Sequence, residues 1–291
     1  MRKTGLDPAE EWLCKCWLRD VYSLYRPEEI TSEIKEKLCH HVYGLFPSDQ
    51  RSPPFKPETL FSHRKVLKKI ETLLPPKKSG FLVPTDGGFI LKVNSIEPYY
   101  RKRFTMAHEI GHTFFYDLSA STPAVRFASS KSSYWIQEGY ANEIAETILL
   151  PEFSLRQAII ERALSPSIKG LEYLSPLYAV SYDVLTHRII QHLGIWDCVI
   201  FKCTIANGDK VRVSPQAVAK GPSFKELHIP RISDKDYPLS SVLLGLIKNA
   251  GLTEKISESE VELKGSKYSV QSKLLNSEET NSYIVLLSKC E

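Results

Sequence analysis

Residues 103–112 read Arg-Phe-Thr-Met-Ala-His-Glu-Ile-Gly-His. In a helix, His108 and His112 fall one turn apart on the same face. Two neutral imidazoles so placed can hold one divalent ion. Glu109, next to the first of them, is positioned to take a proton from a water on that ion. The chemistry that suits this set is metal-assisted hydrolysis of a peptide bond. The plain alternative is a surface helix with two solvated histidines and a glutamate, because five letters with two wildcards also recur by chance.

A site of this kind needs a third protein ligand and an open fourth position. The next helical stretch, Tyr134 to Pro151, offers Glu138, Glu143 and Glu146. Glu138 and Asn142 are four apart and share a face, flanked by Ala141 and Ala145, which would let this helix come close to the first. If Glu138 faces the metal, Glu143 and Glu146 point elsewhere. Spacing alone favours Glu138 only modestly.

Taken together, Arg-Phe-Thr-x-Ala-His-Glu-x-Gly-His at 103–112 and Glu-x-x-Ala-Asn-x-x-Ala-x-x-Leu-Leu-x-Pro at 138–151 resemble the ImmA/IrrE family of metallopeptidases. The resemblance extends over about residues 80–195. It implies His108, His112 and Glu138 as zinc ligands and Glu109 as general base. Phe104, Thr105, Ala107, Gly111, Asn142, Ala145, Leu149, Leu150 and Pro151 match as framework. Met106 and Ile144 stand where the family usually has Leu and Phe. A His2Glu set can accept manganese as well as zinc. The implied reaction lowers the pKa of a water toward neutrality, with Glu109 taking its proton and then passing one to the leaving amine. Asn142, one turn beyond Glu138, could orient a ligand; otherwise it makes a helix-to-helix hydrogen bond. Tyr140, Tyr116 and Arg103 are oxyanion-donor candidates by nearness in sequence only.

The elements that must position these residues can be read more coarsely. Phe81 to Asn94 reads as a hairpin about Asp86-Gly87-Gly88, with Phe89, Leu91 and Val93 on one apolar face. The resemblance implies that this strand edge holds an extended substrate by main-chain hydrogen bonds. Leu118 to Ser133 is long and Ser-rich and reads as a mobile loop, either a lid or a connector. Residues 7–47 read as helical, with Asp7-Pro8 and Arg26-Pro27 as starts. Ser52 to Pro57 reads as a break, and 58–74 as a further helix with His63, Arg64, Lys65, Lys68 and Lys69 on a solvated face. Residues 152–164 and 172–193 read as helices, with Ser181 an N-cap and Gly194 a stop. The phrase from Val180 to Gly194 resembles a helix-turn-helix unit, but 182–193 show no row of base-contacting side chains. From Trp196 strands take over: 197–204, then Asn207-Gly208 as a turn, then 210–213. An apolar helix is expected at 238–250 and strands near 260–264, 267–275 and 282–288.

The expected fold class is therefore α+β, a zincin-like core with four parts. These are a helical region over 1–80, the peptidase core over 81–151, a helix-turn-helix-like bundle over 152–195, and a small α+β domain over 196–291. Some family members carry a sensory C-terminal domain of GAF-like type, and the likeness here is one of organisation.

At 291 residues the chain can bury two or three cores. A net charge of +4 is too mild to argue for nucleic acid, so DNA contact stays unsupported. No run has the length of a membrane helix, and no apolar segment follows the basic start as in a signal peptide, so a cytoplasmic location with no membrane partner is expected. Cys14, Cys16, Cys39, Cys198, Cys203 and Cys290 show no Cys-x-x-Cys spacing and read as reduced thiols. The resemblance implies a protein substrate, a helix-turn-helix repressor cut in a stress or mobile-element response. The competing class is a non-catalytic regulator that binds a repressor or DNA, but binding alone has no use for Glu109.

Overall fold

The computed structural model describes residues 39–118, 121–125, 131–205, 210–224, 237–238, 255–263, 266–275 and 282–290. The part of the expected helical region before residue 39 lies outside them, as do the Asn207-Gly208 turn and the helix expected at 238–250 apart from Pro238, which falls in a short strand. The chain divides into two units. One is drawn from residues up to Leu155 together with Leu177–Ser181, the other from Arg156–Pro176 and Tyr182 onward.

The first unit is built on a three-stranded sheet. Its strands are β1 (Val66–Thr72), β2 (Gly80–Thr85) and β3 (Gly88–Asn94), in the order β1-β3-β2. β3 lies parallel to β1 and antiparallel to β2. Phe89, Leu91 and Val93 are buried in the central strand, as the alternation in the sequence predicts. The hairpin turn falls at Asp86-Gly87, where Gly87 takes φ +81°, a backbone that costs a side-chain-bearing residue energy. The Asn94 N–H donates to the Ser79 carbonyl at 2.8 Å. In an antiparallel ladder of this register, Phe81, Val83 and Thr85 turn their main-chain groups to β3. Gly80, Leu82 and Pro84 turn theirs outward, along a sheet edge.

The helix α1 (Tyr99–His112) packs on this sheet, and α2 (Lys131–Leu149) packs on α1. They cross where their residues are smallest. A Cβ added at Gly111 would stand 2.8 Å from the Ala141 oxygen and 2.9 Å from its Cα. Ala107, Ala141, Ile144 and Ala145 are all fully buried around that crossing. α1 also meets the edge strand closely, because a Cβ at Gly80 would collide with the Thr105 methyl. Two buried arginines brace this unit. Arg103 donates to the carbonyls of Ala179 (3.0 Å) and Phe55 (2.6 Å). Arg64 donates to the Thr113 hydroxyl and carbonyl and lies over the Phe114 ring at 3.8 Å.

The expected helix over 58–74 is not present. Pro57–Leu60 makes one short turn, Lys65 takes φ +52°, and Val66–Thr72 is β1. A left-handed residue stops any helix there, and pairing with the buried β3 overrides the local pattern. His63, Lys68 and Lys69 are exposed, with Lys69 beside Glu58 and Glu71, but Arg64 of the same basic cluster is buried, so the solvated face the sequence suggested holds only in part. The Ser52 to Pro57 break contains Phe55, which is buried against Phe46 and Tyr178. Past α1, β4 (Tyr116–Asp117) pairs with β5 (Ala124–Val125), and the Gly87 N–H donates to the Ser121 carbonyl. The described part of the Ser-rich segment is thus tied by main-chain bonds.

Between Leu150 and Trp196 the chain is helical: α3 (Glu152–Glu161), α4 (Ile168–Tyr178) and α5 (Tyr182–Thr186), which runs into a π-helical turn at His187–His192. The single helix expected over 172–193 is therefore broken. Pro176 interrupts its bonding and Ala179 takes φ +52°. Ser181 directly precedes α5, and Gly194 takes φ +57° at the far end.

The second unit contains a six-stranded antiparallel sheet. Its strands are β6 (Cys198–Ile205), β7 (Lys210–Lys220), β8 (Tyr237–Pro238), β9 (Ser257–Leu263), β10 (Ser266–Leu275) and β11 (Ser282–Lys289). Their order is β8-β7-β6-β11-β10-β9. Tyr283 to Leu287 of β11 are buried without interruption, as a strand near the middle of a covered sheet requires. The Ile168 N–H donates to Gln271, and Glu172 pairs with Lys273, which ties α4 residues to β10. The mixed α+β class read from the sequence holds. Cys39, Cys198, Cys203 and Cys290 are free thiols. No helix among the described residues is long and apolar enough to cross a membrane.

Candidate metal centre

The crossing of α1 and α2 at Gly111 and Ala141 brings Glu138 opposite the two histidines. His108 Nε2 and His112 Nε2 are 3.0 Å apart. Glu138 Oε2 lies 3.3 Å from His108 Nε2, and Oε1 lies 3.4 Å from His112 Nε2. Three side chains from two helices therefore converge on one point. Ligands at 2.0–2.1 Å on a tetrahedron stand about 3.3 Å apart, so this set fits a zinc-sized ion. Glu143 and Glu146 are buried elsewhere on α2 and are not part of this group.

Asn142 closes the arrangement from behind. The His108 Nδ1–H donates to its Oδ1 at 2.9 Å, which leaves the Nε2 lone pair turned toward the convergence point. Burial works against protonation of His108, but the hydrogen bond to Glu138 and the charges of Glu109 and Glu138 outweigh it and raise its pKa. Hydrogen bonds from His108 and His112 hold the Glu138 carboxyl well below the usual carboxylate range. The donor atoms are those of an ionised carboxylate and two imidazoles, a set that zinc and manganese both accept.

Glu109 sits on the neighbouring face of α1, one turn from Thr105 and against β2. Burial pushes its carboxyl above the usual range, and Glu138 adds to this. His112, His108 and a hydrogen bond from the Leu82 main-chain N–H pull the other way. A carboxylate raised in this way is a better proton acceptor near neutral pH. Glu109, His112, Leu82, Phe115, Tyr116 and Gln137 line one cleft of about 170 Å³. That is several times the roughly 30 Å³ of a liquid water, enough for one small portion of a larger molecule.

The three oxyanion candidates separate in the fold. Tyr116 lines the cleft, and its hydroxyl pKa is raised by burial and by the charge of Glu109. Tyr140 is buried against Phe115 and is not on the cleft wall. Arg103 is committed to the carbonyls of Ala179 and Phe55, so its guanidinium is a brace. Leu82, Phe115 and Gln137 were not expected at the site. For Gln137 the one signal available was its position beside Glu138.

A helix with two histidines and a glutamate, a second helix that adds a carboxylate, and an edge strand against the first define a metallopeptidase-like fold. Residues 70–189 match the family model described as the IrrE N-terminal-like domain, peptidase family M78. Among solved structures, the chain is similar to a Mycobacterium tuberculosis transcriptional regulator. The identity is 14% and the TM-score 0.56, over 97% of this chain and 82% of that one. At that identity the likeness is one of fold. Comparison with curated protein sequences gives no match.

Proposed function

We propose that this chain is a zinc-dependent endopeptidase that cuts a helix-turn-helix transcriptional repressor at one site. The observation that carries the peptidase reading is the convergence of His108, His112 and Glu138 with Glu109 buried beside them. His108, His112 and Glu138 would hold the ion. When bound, it supplies Lewis acidity toward water and a carbonyl oxygen. Asn142 fixes the His108 tautomer, and the crossing at Gly111 sets the distance of Glu138. Glu109, held by the Leu82 N–H, takes a proton at its carboxylate and later gives one to the departing amine. Phe115 and the Tyr116 ring narrow the access of bulk water to that carboxylate. The outward edge of β2 gives an extended peptide a strand to lie against. The choice of a repressor as substrate draws on family resemblance, and the fold likeness to a transcriptional regulator fits that setting.

That same fold likeness favours the second reading, a regulator that binds without cutting. Retention of Glu109 in a desolvated position speaks against it, because a binding surface gains nothing from a costly buried carboxylate. New protein N-termini in host cells expressing wild type or Glu109→Gln decide between them. One cut inside a helix-turn-helix protein, absent with Glu109→Gln, is expected. Equal sets of N-termini from the two strains would remove the peptidase reading.

A further inference from the structure

Gln137 lines the cleft, yet its side-chain Nε2 is buried and has no hydrogen-bond partner among the described residues. A primary amide offers two N–H donors. Leaving a buried donor unsatisfied costs folding free energy, so native proteins keep few such groups, and each calls for an explanation. The partner Gln137 lacks is an acceptor, and the cleft it faces is where an acceptor would arrive.

The opposite wall sharpens the point. Of the residues on β2 whose main-chain groups face outward, Leu82 already gives its N–H to Glu109, and Pro84 has none to give. A peptide laid along this edge can donate its own N–H groups to the Leu82 and Pro84 carbonyls. At Leu82 and Pro84 it finds no main-chain donor for its own carbonyls. The donors left on the cleft wall are the Gln137 amide and the Tyr116 hydroxyl.

We infer that Gln137 is a substrate-binding residue whose Nε2–H donates to a carbonyl oxygen of the peptide being cut, a hydrogen bond made only in the complex. The inference rests on the peptidase reading above. Gln137→Met keeps a similar volume and removes both donors. Gln137→Glu keeps the shape and puts an acceptor where the donor was. In purified full-length protein, both variants should hold the same zinc per chain as wild type. The Gln137→Met chain should melt at the same temperature or higher, because an orphaned amide has been replaced by an apolar group. In host cells at matched expression, the wild-type-specific new N-terminus should accumulate on the order of 100-fold more slowly with Gln137→Met, and more slowly still with Gln137→Glu. A normal cutting rate in Gln137→Met overturns the inference. So does a lowered melting temperature, which would mean that the amide has a partner in the free protein. Glu109→Gln run alongside separates the two claims. If wild type shows no cut beyond that variant, the peptidase reading falls and this inference with it. If wild type cuts and Gln137→Met cuts equally well, only this inference falls.

Discussion

The two sheets of this protein bury different things. Around the three-stranded sheet, charged and polar groups are taken out of water: Arg64, Arg103, Thr105, Glu109 and Thr113 are all buried. Along β11 of the six-stranded sheet the buried run is Tyr283, Ile284, Val285, Leu286 and Leu287. The cysteines beside it, Cys198 and Cys203, are pushed up to about 12 by burial, so they are inert neutral thiols in ordinary conditions. Desolvating polar groups is costly unless each is matched. In the first unit some are matched by main-chain carbonyls, as Arg103 is, and one, Glu109, is left raised. That difference separates a brace from a reactive group. It puts the candidate site in the first unit, whereas the buried run of β11 in the second is apolar packing.

The largest expected effect tests the first half of that contrast. Glu109→Gln should slow cleavage about 100- to 10,000-fold with zinc content unchanged, read by metal analysis and by new N-termini in the same preparation. Loss of zinc in that variant would make Glu109 a ligand-positioning group and blur the contrast. Leu286→Ala tests the second half. It removes a fully buried side chain and should lower stability by about 2–5 kcal/mol, seen in denaturant unfolding, while zinc affinity at low temperature stays as in wild type. A matching drop in zinc affinity would show that the two cores are not separable in this way.

Smaller effects probe the supports. Asn142→Ala should weaken zinc binding roughly 10- to 100-fold by competition with a chelator, because the His108 ring loses the acceptor that fixes its tautomer. Gly111→Ala should cost about 1–3 kcal/mol as an overpacked contact with Ala141. It should also weaken zinc binding, since the helices that carry the ligands must move apart. If Gly111→Ala left zinc affinity untouched, the close crossing would not be what sets the Glu138 distance.

Much of the candidate site's geometry was legible because it is local. The four-residue spacings His108 to His112 and Glu138 to Asn142 are fixed by helix geometry, and Ala141 and Ala145 announce a close crossing. What failed needed the partner element. Val66, Ile70 and Leu73 or Leu74 recur at helical intervals, so β1 reads as a helix until β3 is there to pair with it. Tyr116, Tyr140 and Arg103 were equal candidates in the sequence. Only their places in the fold, on the cleft wall, against Phe115 and under two carbonyls, tell them apart. Gln137 carried no signal beyond its place beside Glu138, because a missing hydrogen-bond partner is a property of three dimensions.

The last contrast lies inside the site, between its two carboxylates. Burial raises the Glu109 pKa, whereas hydrogen bonds from His108 and His112 lower that of Glu138. A raised carboxyl stabilises the fold fully below its unfolded value, near 4.3, and that contribution is lost as pH rises through the folded value. A lowered carboxyl does the reverse: its contribution is present above the unfolded value and is lost only as pH falls through the lowered one. In metal-free protein near neutral pH, Glu109→Gln should therefore raise the melting temperature and Glu138→Gln should lower it. The differences should be a few °C, at roughly 2–4 °C per kcal/mol for a domain of this size, and the gain from Glu109→Gln should fade on acidification toward pH 4. Cleavage should also fall on acidification at a pH above the ordinary carboxylate range, because Glu109 must be ionised to accept a proton. Melting shifts of the same sign for both substitutions would mean that the two carboxylates share one environment, and the separation of base from ligand would lose its physical ground.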